Sequence, residues 1–222
     1  MVVMTGDEKG TGSGAWAPHG RLVICTLLLV ASCTQSPRAQ RPPASETPST
    51  GVIWDSLRRP LSLPVLAPGA PCPRSGRRTV VRGVVPAAGN GPLYAGLALV
   101  DTHGVVRYPT YPTSSVGDWI GVKVLWLGPP KFPGPALVRG GRVDGTGTVQ
   151  FEYGPTQEDL LQGHSEPRIL NELQLLADGP SADSSGWYIW GSQVQFRQPG
   201  CYALQVDSPA STEIIVFLAA PA

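Results

Sequence analysis

Residues 119–127 read WIGVKVLWL, and this stretch decides the fold class. Ile120, Val122, Val124 and Trp126 fall on one face, whereas Gly121, Lys123 and Leu125 fall on the other. Successive side chains of a strand point to opposite faces of a sheet, so this alternation predicts a β-strand with one buried face. We therefore expect a domain built from strands.

Similar short segments recur on both sides of this strand. They are separated by glycine and proline, which interrupt regular structure and favour turns. Residues 144–147, Asp-Gly-Thr-Gly, predict a hairpin between two of them. Nine or ten short strands of this kind indicate a β-sandwich or barrel. The predicted strands cover residues 79–85, 94–100, 105–108, 119–127, 136–143, 148–153, 168–176, 190–197, 201–206 and 211–218.

The composition agrees with an all-β domain. The 222 residues include 27 Gly and 24 Pro, about twice the usual share, which disfavours a helical bundle. The chain is 41% hydrophobic and 15% charged, with a formal net charge of +1. A dedicated nucleic-acid-binding protein would carry a strong basic excess, so no nucleic-acid partner is expected.

The C-terminal region resembles a known family of domains. Residues 198–207, QPGCYALQVD, followed by residues 211–217, STEIIVF, resemble the last strand pair of immunoglobulin-like domains in bacterial surface proteins. Residues 61–73 and 122–127 are similar to segments of uncharacterised bacterial lipoproteins that end in this way. The resemblance extends over about residues 54–217. It implies an immunoglobulin-like antiparallel β-sandwich outside the cytoplasm, and it implies no activity.

The N-terminal region contains an apolar segment, residues 22–31, directly after Arg21. As a helix, ten residues would span about 15 Å, half of a bilayer core of roughly 30 Å, which is typical of a signal peptide. The motif Val30-Ala31-Ser32-Cys33 resembles the lipobox of bacterial lipoproteins. The resemblance implies a signal peptide over residues 1–32, a lipidated Cys33 and anchoring in the cell membrane, facing outside the cytoplasm.

The twenty residues before Arg21 depart from the lipoprotein pattern. They include Asp7 and Glu8, which makes the segment longer and less basic than the start of an ordinary signal peptide. A misassigned start codon would explain this departure. An ordinary secretory peptide cleaved elsewhere would also explain it, and would give a secreted protein. The remaining alternative is a short buried apolar element that ends in a cysteine by chance.

Residues 33–51 are predicted to form a disordered tether that is rich in Pro, Ser and Thr. The β-sandwich domain is expected over residues 52–220, with an extended arm over residues 52–78. Trp54 and several leucines indicate that the arm packs on the domain, whereas five prolines between Pro60 and Pro73 forbid regular helix and most sheet pairing.

Two of the four cysteines lie in the N-terminal region, and two lie in the predicted domain. Cys25 lies within the predicted signal peptide, and Cys33 is the lipidation candidate. Cys72 and Cys201 remain, an even pair in a chain predicted to enter an oxidising space, which favours a disulfide between them. The alternatives are a free buried thiol pair and a two-cysteine metal site. A metal site is not expected, because neither cysteine has a neighbouring histidine in the sequence and no Cys-x-x-Cys motif occurs. No cofactor is expected either.

Aromatic residues concentrate in two places and are the candidates for ligand binding. Aromatic side chains at the loop ends of a sandwich stack on sugar rings or on partner proteins. The alternative is that they close the end of the sandwich over its core. The candidates are Trp187, Tyr188 and Trp190 in one group, and Tyr108, Tyr111 and Trp119 in the other.

Catalytic motifs are weak. Residues 163–167, GHSEP, begin like the Gly-x-Ser-x-Gly turn of hydrolases, but the fifth residue is Pro. His103, with Asp101 beside it, is a second candidate base. We assign no catalytic residue and expect a protein that is not an enzyme.

Four arginines form a basic cluster that fits either a solvated strand edge or a contact with anionic lipid or wall polymer: Arg74, Arg77, Arg78 and Arg82.

These observations favour a lipid-anchored β-sandwich with a binding or structural role at the cell envelope. Its partners would be the membrane, through the lipid on Cys33, and an envelope polymer or surface protein. One alternative is an envelope hydrolase that acts on carbohydrate or peptide, with its site in the loops near His164 or His103. The other is an accessory ligand-binding lipoprotein of a transporter.

Overall fold

The structure, a computed structural model, describes residues 50–109, 117–132, 134–154, 160–176 and 186–222. The predicted signal peptide, Cys33 and nearly all of the predicted tether lie outside these residues. One α-helix, α1 (Thr50–Leu57), precedes the strands. The strands are β1 (Arg77–Arg78), β2 (Ala87–Ala88), β3 (Tyr94–Leu97), β4 (Val105–Tyr108), β5 (Ile120–Gly128), β6 (Ala136–Arg142), β7 (Gln150–Tyr153), β8 (Arg168–Leu170), β9 (Leu173–Leu175), β10 (Tyr188–Phe196), β11 (Gly200–Asp207) and β12 (Thr212–Pro221).

The strands form two packed sheets, which confirms the predicted β-sandwich. The larger sheet has the order β1-β2-β3-β5-β10-β7-β8, and the smaller one has the order β4-β12-β11-β6-β9. All strand pairs are antiparallel except β4 with β12, whose parallel register joins Val105 to Leu218. This one pair departs from the predicted antiparallel arrangement. It arises because the chain leaves the larger sheet after β3 and joins the edge of the smaller sheet as β4.

The strand order has the immunoglobulin-like pattern. Strands β3-β5-β10-β7 correspond to A-B-E-D of that fold, and β6-β11-β12 correspond to C-F-G. Tyr202, near the start of β11, donates a hydrogen bond of 2.7 Å from its hydroxyl to the carbonyl of Gln198. A tyrosine that bonds back to the preceding turn at this corner is a hallmark of immunoglobulin-like sandwiches.

The core lies between the two sheets and contains large aromatic side chains from both. Trp126 on β5 is fully buried, and its indole N–H donates a 2.9 Å hydrogen bond to the hydroxyl of Ser192. Val122 and Val124 share the same buried face, as the alternation in residues 119–127 predicts. Phe196 and Tyr202 meet with ring centroids 5.0 Å apart. Complete burial of such side chains stabilises the fold by about 1.5–3 kcal/mol each.

Helix α1 was not predicted, since the whole segment from residue 52 was expected to be extended. The prolines that forbid helix begin only at Pro60, so residues 50–57 are free to form two helical turns. Trp54 and Leu57 lie on one side of the helix and pack against Leu137 of β6. Trp54 and Leu57 therefore pack on the domain as predicted, but the extended conformation predicted for residues 52–57 is wrong.

The proline-rich arm, residues 58–76, covers the outer face of the smaller sheet. Its backbone makes few of the hydrogen bonds of a regular β-ladder, because proline has no backbone N–H to donate. Ser62 N–H donates to the Gln205 side chain (2.7 Å), and Ser75 N–H donates to the Val216 carbonyl (2.9 Å). Leu63 and Leu66 pack on a small outer cluster that includes Val143 and Cys201. The arm therefore gives this sheet an apolar layer on both faces.

A buried carboxylate, Asp207, fastens the start of the arm. It lies at the end of β11 and has no exposed surface. It accepts hydrogen bonds from Arg139 Nη2 (2.7 Å), Thr212 Oγ1 (2.7 Å) and Gln205 Nε2 (2.9 Å). Gln205 also donates to the carbonyl of Pro60 in the arm. A buried charge is tolerated only when it is paired and hydrogen-bonded in this way.

Two predicted features are wrong. Residues 79–85 form a turn instead of a strand, and Val81 packs with Leu127 on the outer face of the larger sheet. The predicted hairpin across residues 144–147 does not form either. Only one bridge, between Gly141 and Thr148, joins its two sides. The chain then crosses to the larger sheet, where β7 pairs with β10.

Candidate functional site

The cysteine prediction is confirmed. Cys72 and Cys201 form a disulfide with Cα atoms 5.6 Å apart, and it ties the arm to the first residues of β11. The alternatives of a free thiol pair and a two-cysteine metal site are therefore excluded. The bridge closes a sequence separation of 129 residues. In the chain-entropy model, closure of so long a loop stabilises the folded state by about 5 kcal/mol.

Two of the candidate binding aromatics are core residues. Trp190 is 1% exposed and Tyr108 is 2% exposed, so neither is available to a ligand at the surface. Trp190 stacks on Tyr188 with ring centroids 5.8 Å apart, and Tyr108 meets Phe196 edge-on at 5.3 Å. For this pair, the structure matches the alternative that the aromatics close the sandwich over its core.

The other candidates divide between the outer face of the larger sheet, its core and one end of the sandwich. Trp187 is half-buried against Tyr94, with ring centroids 6.1 Å apart, in the outer cluster around Leu127. Tyr188 is half-buried and packs against the core. Tyr111 lies outside the described residues. Trp119 is the candidate that lines a cleft.

The cleft lies at the end of the sandwich where β10 turns into β11. Its volume is about 250 Å³. Trp119 directly precedes β5 and Arg197 directly follows β10, and the adjacent residues Ile120 and Phe196 are register partners. The antiparallel pairing therefore brings the two side chains together. The lining residues are Trp119, Thr146, Gly147, Thr148, Arg197, Gln198 and Tyr202.

The Arg197 guanidinium stacks over the Trp119 ring, 4.4 Å from the ring centroid. A cation over an indole face at this distance is attracted by the ring quadrupole. Arg197 Nε also lies 3.2 Å from a carboxylate oxygen of Asp118. Both charged side chains are largely exposed, so this ion pair contributes little to stability. The pair therefore places an aromatic ring and a cation next to each other at the cleft.

A second arginine closes the other side of this end. Arg142 donates from Nε to Asp144 (2.6 Å) and from Nη1 to the Gln198 side chain (2.8 Å). The hydrogen bond that Arg142 donates to the Asp144 carboxylate raises the pKa of Arg142. Partial burial acts to raise the pKa of Asp144, but the bonds from Arg142 and the backbone N–H of Cys201 outweigh it and lower that pKa.

Gly200 makes room for this ion pair. A Cβ at Gly200 would lie 2.7 Å from Arg142 Nε and 2.9 Å from Asp144 Oδ1, closer than side-chain carbons approach such atoms. The first residue of β11 therefore has to be small for Arg142 and Asp144 to meet. Burial raises the pKa of the neighbouring Tyr202 phenol, which stays protonated and available to bond to Gln198.

The candidate bases of the hydrolase alternative are placed as follows. The Asp101 carboxylate accepts hydrogen bonds from the backbone N–H groups of His103 (2.8 Å) and Val105 (2.9 Å) and from Arg107 Nε (2.9 Å). It therefore shapes the turn. His164 and Ser165 are both exposed, and within residues 160–176 no hydrogen bond joins their side chains.

The sequence does not identify Arg197 and Gln198 as lining residues of the cleft, nor Arg142 as the side chain that holds Gln198. No family model, curated protein or solved structure matches the chain. Among the residues that the structure describes, none of the helices is long and apolar enough to span a membrane. The same residues hold no group of three or more His, Cys, Asp or Glu side chains arranged for a metal ion.

Proposed function

We propose that this chain is an exported, lipid-anchored binding module of the cell envelope, held by Cys33 and carrying its ligand site at the Trp119–Arg197 cleft. The apolar residues 22–31 and the motif Val30-Ala31-Ser32-Cys33 are the basis for export and lipidation. The disulfide supports the same compartment, because disulfides form and persist in oxidising spaces.

The stacked Trp119–Arg197 pair is the observation that carries the binding role. Interfaces that bind polymers or proteins are enriched in Trp, Tyr and Arg. Trp and Tyr combine a large contact area with few rotamers, and the Arg guanidinium presents several N–H donors in a fixed plane. Here the two are held in register by the pairing of β5 with β10. The hydroxyls of Thr146 and Thr148 line the same cleft and supply polar partners. We propose an envelope polymer or a surface protein as the ligand.

The anchoring part is tested by mass spectrometry of the mature protein. We expect a chain that begins at Cys33 and carries acyl groups there, with Cys72 linked to Cys201. A Cys33→Ser variant should lack the acyl mass and should leave the membrane fraction. Recovery of an unprocessed, lipid-free chain from the cytosol would contradict the anchoring and the compartment together.

The binding part is tested by cosedimentation with purified cell-wall polymer and by a glycan array. Replacement of Trp119 by Ala should weaken binding about tenfold or more, as loss of a central aromatic does at many interfaces. Trp187→Ala is the matched control, because Trp187 is half-buried outside the cleft. Equal losses in both variants would show that the cleft is not the site.

A further inference from the structure

A second groove lies on the side of the sandwich, between the end of the arm and the turn before β4. Its volume is about 370 Å³, and it is separate from the Trp119–Arg197 cleft. It contains two of the four arginines of the basic cluster. Its lining residues are Arg74, Ser75, Arg77, Asp101, Thr102, His103 and Gly104.

The carboxylate of Asp101, the one acid among these lining residues, is already neutralised. It accepts two backbone hydrogen bonds in its own turn and a third from Arg107 Nε. Arg107 forms an ion pair with it at 2.9 Å. The negative charge of Asp101 is therefore paired with Arg107, and Asp101 forms no ion pair with Arg74 or Arg77.

The groove arginines are bonded to neutral acceptors. Arg74 Nη1 donates to the carbonyl of His103, and Arg77 Nη2 donates to the carbonyl of Pro86 (2.8 Å). Over the described part of the chain, no carboxylate forms an ion pair with either guanidinium. The Nε of Arg77 is buried without a hydrogen-bond partner, and burial lowers the pKa of this side chain. Both observations indicate positive charge that the fold leaves uncompensated.

The hydroxyls of the groove can act as donors. Ser75 Oγ accepts a 2.9 Å hydrogen bond from the backbone N–H of Val216, so its own proton remains free for another acceptor. Thr102 is exposed and lines the same groove, and its hydroxyl is a second candidate donor. Two guanidinium groups and two hydroxyl donors fit a tetrahedral oxyanion with several acceptor oxygens better than they fit a neutral ligand.

We propose that this groove binds a phosphate group, held mainly by Arg74 and Arg77 with Ser75 and Thr102 as additional donors. The phosphate could be supplied by a lipid headgroup or by a soluble phosphate compound, and the chemistry of recognition is the same. The site does not depend on acylation of Cys33, so a failure to find lipid there would leave it standing.

The first test is an NMR titration of the full chain with inorganic phosphate at constant ionic strength, with sodium chloride as the reference salt. We expect the amide signals of Ser75, Thr102 and Gly104 to shift with phosphate and not with chloride. Arg74→Ala should weaken phosphate binding about tenfold or more, because it removes charge-assisted hydrogen bonds. Arg82→Ala, which removes the same charge from an exposed position outside the groove, should bind as the wild type does.

The second test separates the two sources of phosphate. Vesicles of phosphatidylcholine with and without phosphatidylglycerol are sedimented with the Cys33→Ser chain, so that an acyl anchor does not contribute. Binding that requires phosphatidylglycerol and Arg74 assigns the headgroup, whereas phosphate binding without vesicle binding assigns a soluble compound. The proposal is overturned if neither probe binds, or if Arg82→Ala loses as much affinity as Arg74→Ala. Thr102→Val provides a further variant at an exposed position, with a smaller expected loss.

Discussion

Leu99 is the one non-glycine residue in the described part of the chain with a left-handed backbone, at φ 59°. It lies where the chain leaves β3 to become β4, and its carbonyl accepts a 2.7 Å hydrogen bond from Arg107 N–H. Its side chain is 55% exposed, so it adds little to the core. The left-handed conformation costs an L-residue about 1–2 kcal/mol, and this position therefore stores strain at the change of sheet.

Replacement of Leu99 by Asn should raise the free energy of unfolding by about 1 kcal/mol, because asparagine adopts the left-handed region more readily than leucine. Urea denaturation monitored by tryptophan fluorescence would measure the change. Leu61→Asn is the matched control, since Leu61 is 48% exposed and has no positive φ. It should change stability by no more than about 0.5 kcal/mol. An equal gain in both variants would point to surface hydrophobicity instead of backbone strain.

Asp101 makes stability depend on acid pH. The backbone N–H of Val105 and the side chain of Arg107 are the main causes that lower its pKa from 3.8 to about 2. A carboxyl whose pKa is lower in the folded state stabilises the fold fully above its unfolded value, and this contribution is lost as the pH falls through the folded value. Asp101→Asn should therefore be less stable than the wild type at neutral pH.

The difference between wild type and Asp101→Asn should narrow as the pH falls from about 4 to about 2, because the wild-type carboxyl then takes up its proton. Chemical denaturation at a series of pH values measures it. If the difference stays constant down to the lowest of these values, the hydrogen bonds of Asp101 do not act through its charge.

At the scale of elements, the arm and the disulfide act together. Cys201 is 1% exposed within an apolar cluster, so alanine is a better replacement than serine, which would bury an unpaired hydroxyl. Cys72→Ala with Cys201→Ala should lower the free energy of unfolding by about 5 kcal/mol in the chain-entropy model. The fold itself should persist, because Asp207, Arg139 and Gln205 still hold the start of the arm.

The measurement is again urea denaturation, with reduced wild-type protein as a second form of the same experiment. Both should lose stability to a similar degree. A loss below about 1 kcal/mol would mean that the unfolded chain is already compact enough for the bridge to add little constraint.

The strands show which parts of the fold local pattern determines. Strand β5 was predicted within one residue at each end because its alternation reflects one face on the core. Residues 79–85 are also rich in valine, but their backbone forms a turn. Their side chains pack on the outer face of the larger sheet, where they are covered without any pairing of the backbone with a strand. The turn at residues 144–147 indicates a reversal of the chain, and it does not specify which sheet the next strand joins.

The candidate sites were less predictable than the fold for a related reason. Trp119 was identified as an aromatic at the end of a strand, but its partner Arg197 follows a strand far along the chain. The two meet only because β5 pairs with β10 in a register that no local pattern contains. The disulfide could be predicted because the assignment of Cys25 to the signal peptide and of Cys33 to lipidation left only Cys72 and Cys201. This prediction does not require the strand register.

At the scale of the whole molecule, the start of the domain and the cleft lie at opposite ends of the sandwich. Helix α1 packs on Leu137, whose register partner is Asp207 at the end of β11. The cleft includes Gln198 and Tyr202, at the start of the same strand. Eight residues of strand span about 26 Å, so a domain that is anchored at its start, as proposed, would present the cleft away from the anchor.

This arrangement predicts a measurable orientation on a membrane, provided that Cys33 carries lipid as proposed. A fluorescent label at Gly51→Cys, an exposed position in the first turn of α1 with open space around it, should be the more strongly quenched by a quencher at the lipid headgroups. A label at Thr146→Cys in the cleft should be quenched less, because the cleft lies at the other end of β11 from α1, about 26 Å of strand farther from the proposed anchor. Equal quenching at both positions would mean that the domain lies flat on the membrane, with the cleft no farther from the lipid than α1.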